Sequence, residues 1–213
     1  MSTPTRTAPE ASAMNTSSDA ATTESPSDAE VITRSRDEPE TFALLFRRHS
    51  APLYRYIARR LGPHVAEDVL AEVFLVAFRG RGRYDRDRPD ARPWLYGIAT
   101  NLIGRHRRAE VRALRNLERT GVDPVTEAFV ERSDARVGAA AVGHRLASAL
   151  ARLRPGYRDA LLLVAWGQLT YDETAAALGI PVGTVRSRVS RARRDMRAAL
   201  GGIDPTSIQE ESE

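Results

Sequence analysis

The sequence predicts an all-α protein of two small helical domains joined by a flexible linker. Apolar residues recur at intervals of three and four along two blocks, residues 37–120 and 143–200. Neither block contains the alternation of apolar and polar residues that is typical of strands. The acidic and small side chains of residues 121–142 indicate an acidic linker between the two blocks.

Charge is unevenly distributed along the 213 residues. The chain has 32 basic and 28 acidic side chains, for a net charge of +4, but each of the two blocks alone carries +6. Lysine is absent, so every positive charge is a guanidinium, the group that makes forked contacts with phosphate. A genome of biased base composition is a simpler reason for the missing lysine. Cysteine is absent as well, which excludes disulfides and thiolate metal sites.

The two ends of the chain are predicted to be disordered. Residues 1–36 are rich in Ser, Thr and Ala and have no aromatic residue, and residues 201–213 are polar and acidic. The longest apolar run, Ala160 to Trp166, is far too short to cross a bilayer. We therefore expect a cytoplasmic protein without membrane insertion.

Four helices are predicted in the first block. Apolar positions from Phe42 to Leu61 predict two helices that meet near Ser50, with Pro52 in the first turn of the second. A third helix, from Val65 to Phe78, ends at Gly80. A charged loop, Arg81 to Asp90, then leads to a fourth helix that runs from about Trp94 towards Arg119.

The second block predicts a helix-turn-helix. Thr170 and Glu173 have the spacing of a capping box at the start of a short helix, and Gly179 follows as the turn residue. The last helix begins near Pro181 and is rich in arginine. Its predicted core positions are Val185, Val189, Ala192 and Met196.

The opposite face of this last helix suits the major groove of duplex DNA. Small side chains there allow close approach, and arginines reach guanine edges or phosphates. The alternative is a solvated basic face. The candidate duplex-binding residues are Thr184, Arg186, Ser187, Arg188, Ser190, Arg191 and Arg194.

The fourth helix has a face that suits single-stranded DNA. Trp94, Asn101, Arg105 and Arg108 share this face and combine an aromatic ring, an amide and guanidinium groups. Trp94 taken alone is more often a core residue. On the third helix, Asp68 and Glu72 are four residues apart, which fits an exposed face that meets a basic partner or one that is merely solvated.

Enzymatic functions fit the sequence poorly. The four histidines are scattered, and there is no glycine-rich phosphate loop. We expect no catalytic residue, no cofactor and no metal. Serine recombinases also end in a helix-turn-helix, but they need an α/β catalytic domain. A stand-alone helix-turn-helix regulator explains the second basic block and leaves the first without a purpose.

Three sequence runs resemble the extracytoplasmic-function (ECF) sigma factors of bacterial RNA polymerase. They are Ala66 to Phe74, Pro93 to Asn101 and Leu178 to Arg188. The resemblance implies that residues 37–120 are sigma region two and residues 143–200 are sigma region four. It also implies core RNA polymerase as partner, through its β′ coiled coil and β flap, together with duplex and single-stranded promoter DNA. An anti-sigma factor is a further implied partner.

The resemblance also assigns roles to individual residues. It implies that Asp68 and Glu72 contact the β′ coiled coil. It places Tyr84, with Asn101 nearby, where the family captures a flipped base of the minus-ten element, and Trp94 where the family melts DNA. Arg186, Ser187, Ser190 and Arg191 fall where the family reads the minus-thirty-five element.

Overall fold

The computed structural model describes residues 25–120 and 137–201, and all regular elements in these ranges are helical. The predicted all-α class is confirmed. The α-helices are α1 (Asp28–Arg34), α2 (Ala43–Leu61), α3 (Pro63–Gly80), α4 (Arg92–Thr120), α5 (Val137–Arg152), α6 (Pro155–Ala165), α7 (Tyr171–Leu178) and α8 (Val182–Ala199). Among the described residues, no helix is both long and apolar enough to span a membrane.

Helix α1 lies within the segment 1–36 that its composition predicts to be disordered, so that prediction is wrong for residues 28–34. Val31 and Ile32 are each 1% exposed and anchor α1 in the core. Ser27 and Glu30 cap its start reciprocally, because the Ser27 N–H donates to the Glu30 carboxylate at 2.7 Å. A helix of seven residues changes the composition of a 36-residue segment too little to be detected. Residues 1–24 and 202–213 of the predicted tails lie outside the described residues.

Helix α2 is continuous where two helices meeting near Ser50 are predicted. Pro52 lies inside α2 and cannot donate a backbone hydrogen bond there. The helix nevertheless continues, because Leu45, Leu53 and Ile57 form one fully buried face along it. Burial of this face outweighs the single missing bond. The prediction of a break at Pro52 is therefore wrong.

The first domain is built on α2, α3 and α4. Gly62 connects α2 to α3 with a φ of 84°, a value that glycine adopts without strain. Val73 of α3 and Leu95 of α4 are fully buried against α2. Helix α4 starts after the loop that follows α3, as predicted, and its N-terminal half carries the buried stripe.

The second domain contains the predicted helix-turn-helix. The Glu173 N–H donates to the Thr170 hydroxyl at 3.2 Å, and the Thr170 N–H donates to the Glu173 carboxylate at 2.7 Å, which confirms the capping box. Gly179 ends α7 in the left-handed conformation, with φ 63°. Helix α5 begins at Val137, so the predicted linker, residues 121–142, ends earlier than expected. Residues 121–136 lie outside the described part of the chain.

The two domains lie against each other. Leu162 and Leu163 of α6, and Leu169 after it, belong to the same buried cluster as the core of the first domain. Helix α7 packs along α4. This contact places the first helix of the helix-turn-helix beside the loop between α3 and α4.

Candidate nucleic-acid interface

Helix α8 presents two faces with different chemistry. Its four predicted core residues, Val185, Val189, Ala192 and Met196, are each at most 2% exposed. The predicted duplex-binding residues lie elsewhere on the helix. Arg186, Ser187, Ser190, Arg191 and Arg194 are exposed, and Thr184 and Arg188 are half-buried. The structure thus gathers these seven residues on the solvent side of one helix, where a DNA groove can reach them.

One arginine of this face is held by the body of the second domain. Arg191 donates from Nη1 to the hydroxyl of Tyr157 at 3.1 Å. This hydrogen bond raises the pKa of Arg191 and lowers that of Tyr157. Tyr157 lies near the start of α6, so it orients a side chain of α8 from a neighbouring helix. Sequence reasoning did not identify Tyr157, because no local motif links it to α8.

The loop between α3 and α4 forms a small pocket with the start of α4. The rings of Tyr84 and Trp94 lie with their centroids 5.0 Å apart. A cavity of about 250 Å³ is bounded by these two rings and the polar side chains of the loop. Ala176 of α7 also lines it. The pocket therefore contains two of the predicted DNA-binding residues and is bordered by the second domain.

Tyr84 is fixed within this loop. It is 7% exposed, and its hydroxyl donates to the carbonyl of Arg88 at 2.7 Å. Burial, together with the nearby Asp28 carboxylate, raises the pKa of Tyr84 to about 12. Tyr84 thus remains a neutral hydrogen-bond donor at any physiological pH. Its ring supplies a fixed aromatic surface in the pocket.

The other predicted single-strand residues lie further along α4. Asn101, Arg105 and Arg108 are all exposed. Arg105 approaches Glu72 of α3, with 3.5 Å between Nη1 and Oε1. A groove of about 350 Å³ runs between α3 and α4 and is lined by Glu72, Arg105 and Arg108. The structure therefore joins one predicted polymerase-binding residue to the predicted DNA-binding face.

Helix α3 exposes the two predicted polymerase-binding acids. Asp68 and Glu72 both face solvent. One turn further along, Leu75 and Val76 are 46% and 38% exposed, and Phe46 of α2 is 47% exposed. Phe46 packs on Phe74, with 4.9 Å between ring centroids. Large exposed apolar side chains beside acids mark a surface suited to a protein partner.

A buried ion pair crosses between the domains. The Arg60 side chain is 2% exposed and donates from Nη2 to the Asp159 carboxylate at 2.7 Å and from Nη1 to the Tyr56 hydroxyl at 2.9 Å. Tyr56 in turn contacts Thr100 through their hydroxyls at 3.0 Å. Burial lowers the pKa of Arg60, but the adjacent Tyr56 and Asp159 more than offset this and raise it. The guanidinium is therefore charged and paired.

Two further contacts hold the domains together. Arg92 at the start of α4 donates to the backbone carbonyls of Gly167 and Gln168. Gly97 of α4 lies so close to α7 that a Cβ placed on it would be 2.4 Å from the carbonyl oxygen of Ala177. Only glycine fits at this contact. Sequence reasoning found none of these contacts, because each joins residues more than seventy positions apart.

One group of potential metal ligands occurs in the described part of the chain. Asp28, His49 and Asp90 bring ligand atoms within 4.8 Å of one another. Arg48 also donates to the Asp28 carboxylate, at 2.8 Å, and His49 lies 2.6 Å from its other oxygen. A guanidinium at this position repels a cation, so we assign no metal here.

Comparison with known proteins identifies both blocks. Residues 45–113 match the model of sigma-70 region 2, and residues 143–196 match that of sigma-70 region 4. The ECF RNA polymerase sigma factor SigE of Mycolicibacterium smegmatis is 36% identical over 163 residues, which are 73% of this chain and 60% of SigE. The RNA polymerase sigma factor CarQ of Myxococcus xanthus is 31% identical over 176 residues, covering 78% of this chain and 92% of CarQ.

A solved structure has a similar fold. CnrH in complex with the cytosolic domain of CnrY matches with a TM-score of 0.57 and 28% identity, over 82% of this chain and 97% of the other. Fold and site thus define a two-domain sigma factor. The chain belongs to the ECF sigma factors of RNA polymerase. The resemblance seen in the three sequence runs is confirmed.

Proposed function

We propose that this chain binds core RNA polymerase and directs it to promoters through two separate DNA-binding surfaces. The observation that carries the proposal is their placement: the pocket of Tyr84 and Trp94 lies on the first domain, and the arginine face of α8 lies on the second. The chain acts by binding and not by catalysis. Because RNA polymerase works in the cytoplasm, the chain acts there too.

The downstream element is assigned to the first domain. Tyr84 and Trp94 supply aromatic surfaces for an unstacked base, and the polar groups of the loop line the same cavity. Asn101, Arg105 and Arg108 continue along α4 and suit the sugar-phosphate backbone of the separated strand. Aromatic stacking and phosphate contacts together offset the cost of extracting a base, which is a few kcal/mol.

The upstream element is assigned to α8, which inserts into the major groove. Ser187 and Ser190 let the helix backbone approach the bases, and Arg186 and Arg191 flank them. Thr184, Arg188 and Arg194 then contact phosphates and fix the orientation of the helix.

Substitution of Arg191 tests this assignment. Arg191→Ala is expected to weaken binding of the holoenzyme to a promoter duplex by about tenfold or more, since a forked arginine contact to a base contributes about 1–3 kcal/mol. Tyr157→Phe, which removes only the hydroxyl that holds Arg191, should cause a smaller loss. The affinities are measured by fluorescence anisotropy at fixed salt.

Arg152→Ala is the matched control, because Arg152 is an exposed arginine at the end of α5 and is not part of the arginine face of α8. It should leave the promoter affinity unchanged. Equal promoter affinity of the Arg191→Ala and wild-type holoenzymes would remove Arg191 from the interface.

Core polymerase is assigned to the exposed acidic and apolar surface of α3 and Phe46. The double variant Asp68→Ala, Glu72→Ala should reduce the affinity for core polymerase by about tenfold, because charges at an interface steer association and fix the partner's position. Of the two acids, only Glu72 pairs with Arg105. The single variant Asp68→Ala therefore measures the loss of an acid for polymerase binding without releasing Arg105. Affinity is measured by competition for fluorescently labelled core.

The control is the double variant Glu38→Ala, Glu40→Ala, which removes the same amount of charge from the exposed turn before α2. Core affinity of the Asp68 and Glu72 variant equal to that of this control would leave the two acids as a solvated face.

The packing of the two domains explains why free protein would bind promoters poorly. Ala176 borders the pocket of Tyr84 and Trp94, and α7 lies along α4, so the two DNA-binding surfaces are held together instead of at promoter spacing. We infer that polymerase separates the two domains and presents both DNA-binding surfaces to the promoter at once. Two weak contacts then act together as one strong contact. CnrH is solved with a protein partner, and we propose an anti-sigma factor as a partner of this chain too.

A further inference from the structure

Helix α1 lies outside both family matches, the first of which begins at residue 45. It nevertheless takes part in contacts with both ends of the loop that carries Tyr84. At its N-terminal end, the Asp28 carboxylate accepts from the backbone N–H of Ala91 at 3.1 Å. The N–H of Ala29 donates to the carbonyl of Pro89 at 3.3 Å. These two bonds fix the end of the loop where α4 begins.

The two residues that follow α1, Ser35 and Arg36, hold the start of the same loop. Arg36 donates to the carbonyl of Gly82, and Arg81 donates from Nε to the carbonyl of Ser35 at 3.3 Å. Arg81 is itself fixed, because its guanidinium lies over the ring of Phe78, 3.8 Å from the ring centroid. Both ends of the loop are therefore bonded to α1 or to the two residues that directly follow it.

Helix α1 is rigidly attached to the first domain. Val31 and Ile32 are buried in the core, and Asp28 is tied to α2 by Arg48 at 2.8 Å and His49 at 2.6 Å. Burial raises the pKa of Asp28, but the hydrogen bonds from His49 and Arg48 outweigh it and lower the pKa to about 2. The carboxylate is thus ionised and able to hold the loop at neutral pH.

We propose that α1 is a positioning element for the downstream pocket: Asp28 and Arg36 set the separation between the two ends of the loop and so hold Tyr84 opposite Trp94. Asp28 is the first residue of α1 and Arg36 lies two residues after its end, so the rigid helix fixes the distance between these two attachment points. The apolar residues of α1 stabilise the domain, whereas its polar contacts to the loop serve base capture. This inference rests on the proposed function of the pocket.

The apolar and polar contacts of α1 can be changed separately, and this separation allows the proposal to be tested. Arg36 is exposed, so Arg36→Ala removes one loop contact with little effect on folding. Asp28→Ala removes the other contact, and its thermal stability is measured alongside because Asp28 is buried. Arg34→Ala is the matched control: Arg34 is an exposed arginine of α1 that pairs with Glu38 and does not contact the loop.

The experiment uses holoenzyme assembled from core polymerase and each variant. The probe is a single-stranded oligonucleotide of a promoter that the wild-type holoenzyme transcribes, with 2-aminopurine at successive positions of the downstream element. Extraction of the base from the stack raises 2-aminopurine fluorescence. Affinity for core polymerase and for the upstream duplex are measured in parallel.

We expect Arg36→Ala and Asp28→Ala to lower affinity for the single strand by about tenfold, as for loss of one hydrogen bond to a charged group. The fluorescence rise at the captured position should fall with it. Core and upstream-duplex affinities should stay at the wild-type values, and Arg34→Ala should match wild type throughout. A purely structural role for α1 would lower all three affinities together.

Two outcomes overturn the inference, and they are distinguishable. If wild type captures the base and both variants do so equally well, or lose all three affinities in parallel, α1 has no positioning role. If the wild-type holoenzyme itself shows no fluorescence rise at any position, the proposed role of the Tyr84 and Trp94 pocket fails, and the role of α1 fails with it.

Discussion

Replacement of Gly97 by leucine is expected to separate the two domains in the free protein. Even a Cβ at this position would lie 2.4 Å from the carbonyl oxygen of Ala177, a backbone atom that cannot rotate away. Within α4 itself the change is favourable, because leucine has a higher helix propensity than glycine by about 0.8 kcal/mol. The first domain should thus remain folded while its contact with α7 is lost.

The separation is measured by the radius of gyration in solution and by energy transfer between dyes placed on the two domains. Gly104→Leu is the matched control on the same helix, because a Cβ at Gly104 meets only the mobile end of the Arg108 side chain, at 3.4 Å. Gly97→Leu should expand the molecule and expose the pocket of Tyr84 and Trp94 to single-stranded DNA. If the dimensions of the Gly97→Leu protein were unchanged, like those of the control, the packing of α7 on α4 would be contradicted.

Loss of the Asp159 carboxylate should also open the molecule. In the closed arrangement Asp159→Ala leaves the guanidinium of Arg60 buried and without its charged partner, which costs about 3–5 kcal/mol. Separation of the domains returns water to Arg60. Opening of the two domains therefore relieves this cost, and the free energy of unfolding of the first domain stays unchanged.

The same energy-transfer measurement tests this variant. Asp195→Ala is the control, since Asp195 pairs with Arg194 on the exposed side of α8, at 3.6 Å, and its loss should have no effect on domain separation. Combination of Asp159→Ala with Gly97→Leu should add little further opening, because either change alone already makes the open form dominant. A closed and equally stable Asp159→Ala protein would show that the ion pair does not hold the domains.

Elements with strong periodicity and caps could be predicted from the sequence. Helix α8 was predicted with the correct buried face, because four apolar residues repeat on it and a capping box and Gly179 mark the elements before it. Helix α1 was missed, although Ser27 and Glu30 have capping-box spacing, because seven residues are too few for periodicity to show. The sequence around Pro52 predicts a break near Ser50 because local sequence does not show how much apolar surface a helix buries.

The candidate site was predictable in its chemistry and not in its geometry. Exposed arginines on α8 and acids on α3 follow from helical spacing, which a sequence displays directly. The pairing of Arg60 with Asp159 and the approach of Gly97 to Ala177 depend on how two domains pack. Contacts between distant residues leave no local pattern, so Tyr157 and Asp28 were found only in the structure.

Run-off transcription tests most directly whether this chain directs RNA polymerase to promoters. Core bacterial RNA polymerase is supplied with a library of upstream regions from the chain's own genome, with and without the purified protein. We expect transcripts that depend on the protein and start at a common distance from a shared pair of upstream sequence elements. The assignment as a sigma factor would be wrong if no such transcript formed while the protein alone bound duplex DNA specifically, as a stand-alone regulator does.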